Sequence, residues 1–415
     1  MKILFSNPPW EVEGRHTVRA GSRWPHSYKT TPGAKYTYKP FPFFLSYAAS
    51  YCQERLPNSE IILRDSLLNQ ESVENFLSFL LKNEFDYLVF EISTPSLDSD
   101  RVLIQKIAHQ NPKTKIILVG QNIAYDAKNL LDTLPVFACI KGEYEKGVAQ
   151  AISGNRGGVL EFNLLDQTEM DAAPAAMRRE GLYEYYDVGY FHGKGPILQL
   201  WTSRGCPFKC SFCTWPQSMT LNKVRYYSAD SLRKEITQTL KKFPSFKAIY
   251  FDDDTFNLND RHVLEVCKVV EEFKLPWSAM CRADTLKEST WEAMASADCV
   301  GVKIGVESAS QRILDEVIHK NLNLEDVRHF VPFIRSLGIK VHGTFMYGNP
   351  TETEEEMLAT KRFIEEVGFD HVQESGAAPL AGTKLWNLNE QTHLLNETDG
   401  KKYQEALERK LVQYV

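Results

Sequence analysis

Short apolar runs alternate with amphipathic stretches along most of the chain, and this alternation limits the possible fold more than any other feature. Strands that alternate with helices form parallel sheets, because each helix returns the chain to the same end of the sheet. The runs fall into two series. The first consists of residues 2–6, 60–65, 87–93, 115–120 and 136–140, and the second of residues 197–203, 247–252, 277–281, 301–306, 340–345 and 371–375.

The two series predict two α/β domains, and 415 residues are enough for two separate cores. Five units predict a Rossmann-like, doubly wound parallel sheet over residues 1–150. Six units predict a partial (β/α)6 barrel over 196–385 rather than a closed barrel of eight strands. The stretch 151–195 breaks the rhythm and is predicted to be a linker. Residues 386–415 are predicted to form a charged helical segment.

Composition narrows the class of protein. The chain is 43% apolar and 25% charged, which is typical of globular proteins. Its net charge of −6 provides no general basic field for nucleic acid. No stretch approaches the ~20 apolar residues of a membrane span, and the first residues lack the apolar region of a signal peptide. We therefore expect a cytoplasmic protein with no nucleic-acid partner and no transmembrane segment.

Three of the eight cysteines lie directly after the first strand of the second series. Cys206, Cys210 and Cys213 follow the spacing C-x3-C-x2-C, which can hold three irons of a 4Fe–4S cluster and leave the fourth iron open. A structural zinc site would need a fourth protein ligand, for which Cys281 is a candidate. An incidental thiol cluster is the third alternative. The five other cysteines are expected to be small buried apolar side chains.

This cysteine motif resembles the one that defines the radical S-adenosylmethionine (SAM) superfamily. The resemblance implies that SAM binds the open iron through its amino and carboxylate groups. It also implies an external electron donor of the flavodoxin or ferredoxin type, and cleavage of SAM to a 5′-deoxyadenosyl radical.

Polar or glycine-containing segments follow the later strands of the second series, where β/α barrels place their active sites. By the resemblance, the acidic run would bind the SAM ammonium and Arg282 its carboxylate. Glu307 and Ser308 would meet the ribose or the amino-acid part, and the backbone from Met346 to Gly348 would flank adenine. Any of these residues could instead cap a helix or carry a surface charge. The predicted SAM contacts are Asp252, Asp253, Asp254, Arg282, Glu307, Ser308, Met346, Gly348 and Ala378.

The first series has neither G-x-G-x-x-G nor a P-loop motif, so dinucleotide and P-loop functions lose support. Its strand ends resemble the cobalamin-binding domain that precedes many radical SAM domains. A Rossmann-like domain that binds nothing is the alternative. The motif Asp-x-His-x-x-Gly is absent, so the resemblance implies cobalamin without a histidine ligand to cobalt. The predicted contacts are Asn7, Pro8, Pro9, Ser93, Thr94, Gly120, Gln121, Gly142 and Glu143.

A long insertion over residues 10–40 carries six Lys and Arg against two acidic residues, interleaved with aromatic side chains. Loops of this length in compact domains are usually functional or disordered. The insertion would suit an anionic substrate or the phosphate of a cofactor, and a solvated lid is the alternative.

The combined resemblance implies a methyltransferase that acts on an unactivated carbon through a 5′-deoxyadenosyl radical and methylcobalamin. One alternative is a rearrangement, cyclisation or ring contraction without methyl transfer, since Cys-x-Trp-Pro-Gln at 213–217 resembles enzymes of hopanoid side-chain assembly. Another is a non-catalytic cobalamin or iron–sulfur sensor. The sequence leaves open whether the substrate is an anionic small molecule or a lipid precursor.

Overall fold

A computed structural model describes residues 1–12, 15–16, 38–179, 186–188, 195–377 and 380–387. Most of the insertion at 10–40 and nearly all of the segment 386–415 lie outside these residues. Two six-stranded parallel sheets dominate the structure, one in each half of the chain. None of the helices in the described ranges is long and apolar enough to cross a bilayer.

The first sheet has the strand order β5-β1-β6-β7-β8-β9, with all neighbouring pairs parallel. The strands of this half are β1 (Lys2–Asn7), β2 (Glu11–Val12), β3 (Arg15–His16), β4 (Tyr38–Lys39), β5 (Glu60–Asp65), β6 (Tyr87–Glu91), β7 (Lys115–Val119), β8 (Ala138–Ile140) and β9 (Gly158–Leu160). Its helices are α1 (Phe43–Arg55), α2 (Val73–Asn83), α3 (Leu97–Gln110), α4 (Ile123–Thr133) and α5 (Tyr144–Ser153).

Helices cover both faces of this sheet. Residues of α1 and α5 pack on one face with Phe5 and Val89, and residues of α2, α3 and α4 pack on the other face with Leu4 and Leu88. The strand order reverses direction between β1 and β6, which makes that edge the switch point of a doubly wound sheet. The predicted Rossmann-like architecture is confirmed.

The segment 151–195 differs from a simple linker. Helix α5 continues to Ser153, and β9 pairs in parallel with β8 as the sixth strand of the first sheet. The run Gly-Val-Leu is too short to show strand periodicity, so its place is decided by tertiary pairing. The segment also contains α6 (Gln167–Ala172) and β10 (Asp187–Val188), which pairs antiparallel with β4.

The second sheet has the order β11-β14-β15-β16-β17-β18 and is parallel throughout. The strands of this half are β11 (Ile197–Leu200), β12 (Ser203–Arg204), β13 (Arg225–Tyr226), β14 (Ala248–Phe251), β15 (Trp277–Cys281), β16 (Cys299–Glu307), β17 (Lys340–Tyr347) and β18 (His371–Gly376). The α-helices are α7 (Ala229–Lys242), α8 (Asp260–Glu271), α9 (Glu288–Ser296), α10 (Leu324–Ser336) and α11 (Glu354–Val367), and two π-helical turns span Pro216–Thr220 and Ile313–Val317.

In the second half, helices α7 to α11 pack against one face of the sheet in a single apolar core. That core includes Leu200, Phe251, Ala279 and Ile304, so the side chains that alternate with them point to the concave inner face. The six parallel strands with outer helices confirm the predicted partial barrel. β12 and β13 pair antiparallel on either side of the cysteine motif and join the two ends of its loop.

Candidate active site

The three motif cysteines line one cavity of about 110 Å³ at the carboxyl ends of the barrel strands. In the part of the chain that the structure describes, no three His, Cys, Asp or Glu side chains converge on a position for a single metal ion. The motif thus brings three thiols, those of Cys206, Cys210 and Cys213, to one cavity. Such an arrangement suits a multi-iron cluster better than a zinc ion.

Two of the three thiols, those of Cys206 and Cys213, are buried in an environment that favours their protonated form. Burial raises the pKa of Cys206 and of Cys213, and the hydroxyl of Thr255 lies 3.4 Å from the Cys206 sulfur. Thiolates are the form that binds iron, so occupation of the site would release protons from these cysteines.

Two residues of the acidic run, Asp253 and Asp254, have different surroundings: the first is buried between strands and the second lines the cavity. The carboxylate of Asp253 is fully buried and accepts hydrogen bonds from the Thr202 amide at 3.1 Å and the Ser203 hydroxyl at 2.5 Å, which ties the end of β11 to the end of β14. Asp254 lines the cavity and accepts from the Gly205 amide at 2.9 Å. All three aspartates were predicted to contact SAM, but only Asp254 lines the cavity, while Asp252 is buried beside it.

Arg282 lines the same cavity, but its donors are already engaged. Its Nε and Nη2 donate to the two carboxylate oxygens of Asp284 at 2.9 and 2.7 Å, and its Nη1 donates to the Lys320 carbonyl at 3.2 Å. Its guanidinium carbon lies 3.8 Å from the ring centroid of Phe208. These contacts fix the plane of the guanidinium and leave few of its N–H groups for a ligand.

Glu307 and Lys320 form a buried ion pair at the cavity, with 3.1 Å between Lys320 Nζ and Glu307 Oε1. Glu307 has a φ of +75°, a left-handed conformation that is strained for a residue with a side chain. The register between β16 and β17 also shifts between Gly305 and Glu307. The local backbone is thus distorted where Glu307 enters the cavity.

The other predicted SAM contacts lie behind the cavity wall. Ser308 is buried and its hydroxyl accepts from the Ser310 amide at 3.1 Å, while Met346 and Gly348 follow on β17 and its loop without lining the cavity. Ala378 lies outside the described residues. Sequence reasoning missed Phe208, Thr255, Lys320 and Thr344, which do line the cavity. Lys320 had no motif to reveal it, because it follows an irregular π-helical turn.

The carboxyl ends of the first sheet hold a second group of polar residues. Gln121 is 1% exposed, and neither atom of its side-chain amide has a hydrogen-bond partner. The preceding Gly120 has a φ of +127°, and a Cβ there would lie 2.2 Å from the Ile92 carbonyl oxygen. Ser93 is buried after β6, with its hydroxyl 2.7 Å from that of Ser96. A buried amide without a partner points to a polar ligand at this edge.

Asn7, Pro8 and Pro9 end β1 at the same edge of the sheet. Asn7 donates to Asp65 Oδ1 at 2.9 Å, and the Tyr186 hydroxyl donates to Asp65 Oδ2 at 3.1 Å. Burial raises the pKa of Asp65 to about 6. Asn7 is thereby held against β5.

The two groups of strand ends face each other. Gly142 follows β8, and a Cβ on it would lie 3.0 Å from the carbonyl oxygen of Met219, in the π-helical turn that follows the cysteine motif. Gln217 of the same turn donates to the Cys213 carbonyl at 2.7 Å. The cysteine loop and the polar edge of the first sheet therefore border one region.

Buried ion pairs connect the halves beside this region. Glu143 pairs with Arg225 at 2.6 Å and with Arg204 at 3.4 Å, and Arg204 pairs with Glu145 at 2.7 Å. Burial alone would raise the pKa of Glu143, but Arg204 and Arg225 outweigh it, so this pKa is lowered. Four ring centroids lie 5.1–5.7 Å from the Arg204 guanidinium carbon, those of Phe44, Tyr47, Trp201 and Tyr227. The Glu143 carboxylate is thus committed to the contact between the halves, which differs from its predicted role in binding a cofactor.

The sequence model of the Radical SAM superfamily matches residues 202–364, which span the cysteine loop and most of the barrel. This part of the chain is a radical SAM domain. An uncharacterised methyltransferase of Pyrococcus horikoshii is 27% identical over 97% of this chain and 86% of its own length.

Two further relatives cover less of the sequence or are more distant. Cytidylyl-2-hydroxyethylphosphonate methyltransferase of Streptomyces wedmorensis is 31% identical over 52% of this radical SAM chain and 43% of its own. Anaerobic magnesium-protoporphyrin IX monomethyl ester cyclase of Rubrivivax gelatinosus is 21% identical over 87% of this chain and 65% of its own.

Among solved structures, the radical SAM methyltransferase TsrM of Kitasatospora setae, with cobalamin and a 4Fe–4S cluster bound, superposes with a TM-score of 0.69 at 16% identity. The superposition covers 94% of this chain and 74% of TsrM. At this identity, the match supports the two-part fold of the radical SAM chain.

Proposed function

We propose that this radical SAM enzyme is a cobalamin-dependent methyltransferase that methylates an unactivated carbon. The observation that carries the proposal is the opposition of two polar strand ends, with Gly142 of the first sheet against Met219 of the cysteine loop. Two groups that cooperate in one reaction must lie on facing surfaces, and these two surfaces meet. The methyltransferase relatives and the architecture shared with cobalamin-bound TsrM support the same proposal.

The cavity residues fit a cluster and SAM. Cys206, Cys210 and Cys213 would hold the cluster, Asp254 would accept from the SAM ammonium, and Lys320 would bind its carboxylate. Lys320 suits this task because its ammonium lines the cavity and has three donors, of which Glu307 accepts from one, whereas the Arg282 guanidinium donates to Asp284 and to backbone carbonyls. Arg282 would then position Lys320 through the hydrogen bond to its carbonyl.

Apolar side chains complete the cavity beside the charged ones. Phe212, Trp215 and Met280 line it and would exclude water from a reactive carbon radical. When bound, the cluster supplies an electron for SAM cleavage, and cobalamin supplies a carrier for the methyl group. A flavodoxin or ferredoxin would deliver the electron.

The edge of the first sheet fits a large polar cofactor. Gln121 would donate and accept hydrogen bonds through its buried amide, and Gly120 and Gly142 would let backbone and ligand approach closely. The motif Asp-x-His-x-x-Gly, which supplies a histidine to cobalt in many cobalamin proteins, is absent from the sequence. We therefore expect cobalamin to bind without histidine on its lower face.

The products of SAM test this function without knowledge of the substrate. The enzyme reconstituted with iron, sulfide and cobalamin, under a low-potential reductant, should form both S-adenosylhomocysteine and 5′-deoxyadenosine. S-adenosylhomocysteine forms when SAM transfers its methyl group to a nucleophile, whereas 5′-deoxyadenosine forms when SAM is cleaved to the radical. Chromatography of the two nucleosides, with the triple variant Cys206→Ala/Cys210→Ala/Cys213→Ala as the control, measures both. Failure to form S-adenosylhomocysteine would refute the methyltransferase.

A rearrangement or cyclisation without methyl transfer is the second candidate, and the cyclase relative favours it. Trp215 and Pro216 of the Cys-x-Trp-Pro-Gln string line the cavity, where they would contact a substrate. This candidate predicts 5′-deoxyadenosine alone. A sensor would form neither nucleoside.

A further inference from the structure

The inner face of the barrel is polar where a β/α barrel is usually filled by branched apolar side chains. Alternation along the strands places one residue of each pair against the outer helices and the other inside. The inner side chains include those of Gln199, Tyr250, Ser278, Lys303, His342 and Gln373. A purely structural core would not place so many polar groups here, because each must be desolvated.

One level of this inner face is basic. Lys303 of β16 lies in register with His342 of β17, and His342 lies in register with His371 of β18. Lys303 is 4% exposed and His342 is 7% exposed. The Lys303 ammonium donates to the amide oxygen of Gln373 at 2.9 Å, and the rings of His342 and His371 stack with 6.2 Å between their centroids. The three side chains form what we call the basic layer.

The basic layer lies directly beneath the cavity that holds the cysteines. Gly305 and Thr344 follow Lys303 and His342 by two residues on the same strands, point to the same inner face, and line the cavity. Gly305 has no side chain, and the Glu307 carboxylate and the Lys320 ammonium lie against it, 2.5 and 3.0 Å from where a Cβ would be. This ion pair, which lines the cavity, therefore borders the basic layer from the cavity side.

Two other inner side chains have hydrogen-bonding atoms without a partner. The hydroxyl of Ser278, 5% exposed, lies one level below Met280 on β15, and the Nε2 of Gln199 is fully buried on β11. Buried polar atoms are nearly always satisfied, so these two indicate a ligand that completes their hydrogen bonds. They lie on the same inner face as the basic layer.

We propose that the basic layer binds an oxyanion of the substrate, a carboxylate or a phosphoryl group, and so orients its reacting carbon toward the cavity above. The inference rests on the proposed function, because it assigns the upper cavity to SAM. The ammonium of Lys303 provides the charge, and the imidazoles of His342 and His371 provide N–H donors. Ser278 and Gln199 would bind the uncharged part of the same molecule.

Small anions test the proposal before a substrate is known. Equilibrium dialysis of radiolabelled inorganic phosphate, with acetate as competitor, should be done on the reconstituted full chain with saturating SAM and no reductant. SAM then fills the upper cavity, so its own carboxylate site is not measured. We expect one bound phosphate per chain. If acetate displaces phosphate at similar concentrations, the result would indicate a carboxylate substrate. If phosphate stays bound in the presence of acetate, the result would indicate a phosphoryl substrate.

Lys303→Met should weaken phosphate binding about tenfold or more, because a charge-assisted hydrogen bond is lost. Lys340→Met is the matched control, since Lys340 lies exposed at the start of the neighbouring strand, and it should bind as the wild type does. Lys303→Arg keeps the charge and should retain binding, which separates loss of charge from misfolding. Cluster absorbance and melting temperature confirm that each variant is folded.

Two results would overturn the proposal. In the first, phosphate and acetate bind to Lys303→Met as tightly as to the wild type, and in the second they bind to neither protein. Neither result depends on the nucleosides that SAM forms. Loss of S-adenosylhomocysteine with intact anion binding would instead contradict the methyltransferase and leave the basic layer in place.

Discussion

The two sheets of this enzyme have the same number of parallel strands but differ in how many of their faces are covered by helices. In the first sheet, helices bury apolar side chains on both faces, so a ligand has access only to the carboxyl ends of the strands. In the second sheet, helices cover only the outer face, and the inner face carries Lys303, His342 and Gln373. The second sheet can therefore bind ligands within its curve as well as at its edge.

One reaction site can thus be assembled from two sheets that contribute different surfaces. The first sheet offers an edge with Gln121 and Gly120, and the second offers the cysteine loop and the cavity beneath it. Buried ion pairs through Arg204 connect the two surfaces.

The largest effect is expected from loss of the cluster ligands. The variant Cys206→Ala/Cys210→Ala/Cys213→Ala should lose the cluster absorbance and all SAM cleavage, because three thiolates hold the cluster. Cobalamin uptake should persist, since the first sheet has its own core and edge. Iron analysis, visible spectra and cobalamin binding measure this separation. A variant that loses cobalamin in proportion to iron would show that the two surfaces do not bind independently.

The second largest effect is expected from loss of the buried ion pairs between the two halves. Arg204→Met leaves Glu143 and Glu145 buried without their shared partner, which should destabilise the protein by about 3–5 kcal/mol. Arg233→Met is the control, because Arg233 also contacts two carboxylates but on the surface, and it should change stability little. Denaturant unfolding measures both variants. Equal stabilities would mean that the buried ion pairs contribute no more than surface pairs.

A smaller effect should follow from Gly120→Ala. Its left-handed backbone and the contact with the Ile92 carbonyl should together cost about 1–3 kcal/mol and weaken cobalamin binding. Gly338→Ala in the second half is the matched control, since Gly338 has a φ of +85° but no atom within 4 Å of the added Cβ. Cobalamin affinity that falls equally in both variants would argue against a site at Gly120.

The smallest effect concerns one buried carboxyl in each half. Burial raises the pKa of Glu352 to about 7 and that of Asp65 to about 6. In both cases the folded state holds the proton more tightly than the unfolded state, so each group makes stability fall as pH rises. The Asp65 carboxyl lowers the free energy of unfolding between pH about 3.8 and about 6, and the Glu352 carboxyl does so between pH about 4.5 and about 7. Each contributes a slope of at most ~1.4 kcal/mol per pH unit. Unfolding at several pH values should show that Glu352→Gln removes the decline between pH 6 and 7, whereas Asp65→Asn does not.

Much of the fold was predictable because the strands are buried on at least one face and therefore stand out as apolar runs. Each of the eleven predicted runs overlaps a strand of one of the two sheets. β9 was missed because three residues show no periodicity. The cysteines were found through their spacing, which is a local signal.

The remaining site residues depend on contacts between distant parts of the chain. Lys320 meets Glu307 only after an irregular turn, and Arg204 meets Glu145 across the two halves. The role of the acidic run in binding SAM stays a prediction, and only the hydrogen bonds from Thr202 and Ser203 distinguish Asp253 from Asp254, which lines the cavity. The predicted cobalamin contacts stay predictions, except that Glu143 has a defined partner in each of two arginines.

The edge of the first sheet and the cysteine loop of the second sheet border a single site. Electron paramagnetic resonance of the enzyme that carries both cob(II)alamin and the reduced cluster tests it most directly, because two nearby unpaired spins broaden and relax each other. We predict cob(II) lines that are broadened by the reduced cluster, regain their width when the cluster is oxidised, and lack the splitting of a histidine nitrogen. Cob(II) lines that keep the same width whether the cluster is reduced, oxidised or removed would contradict the account.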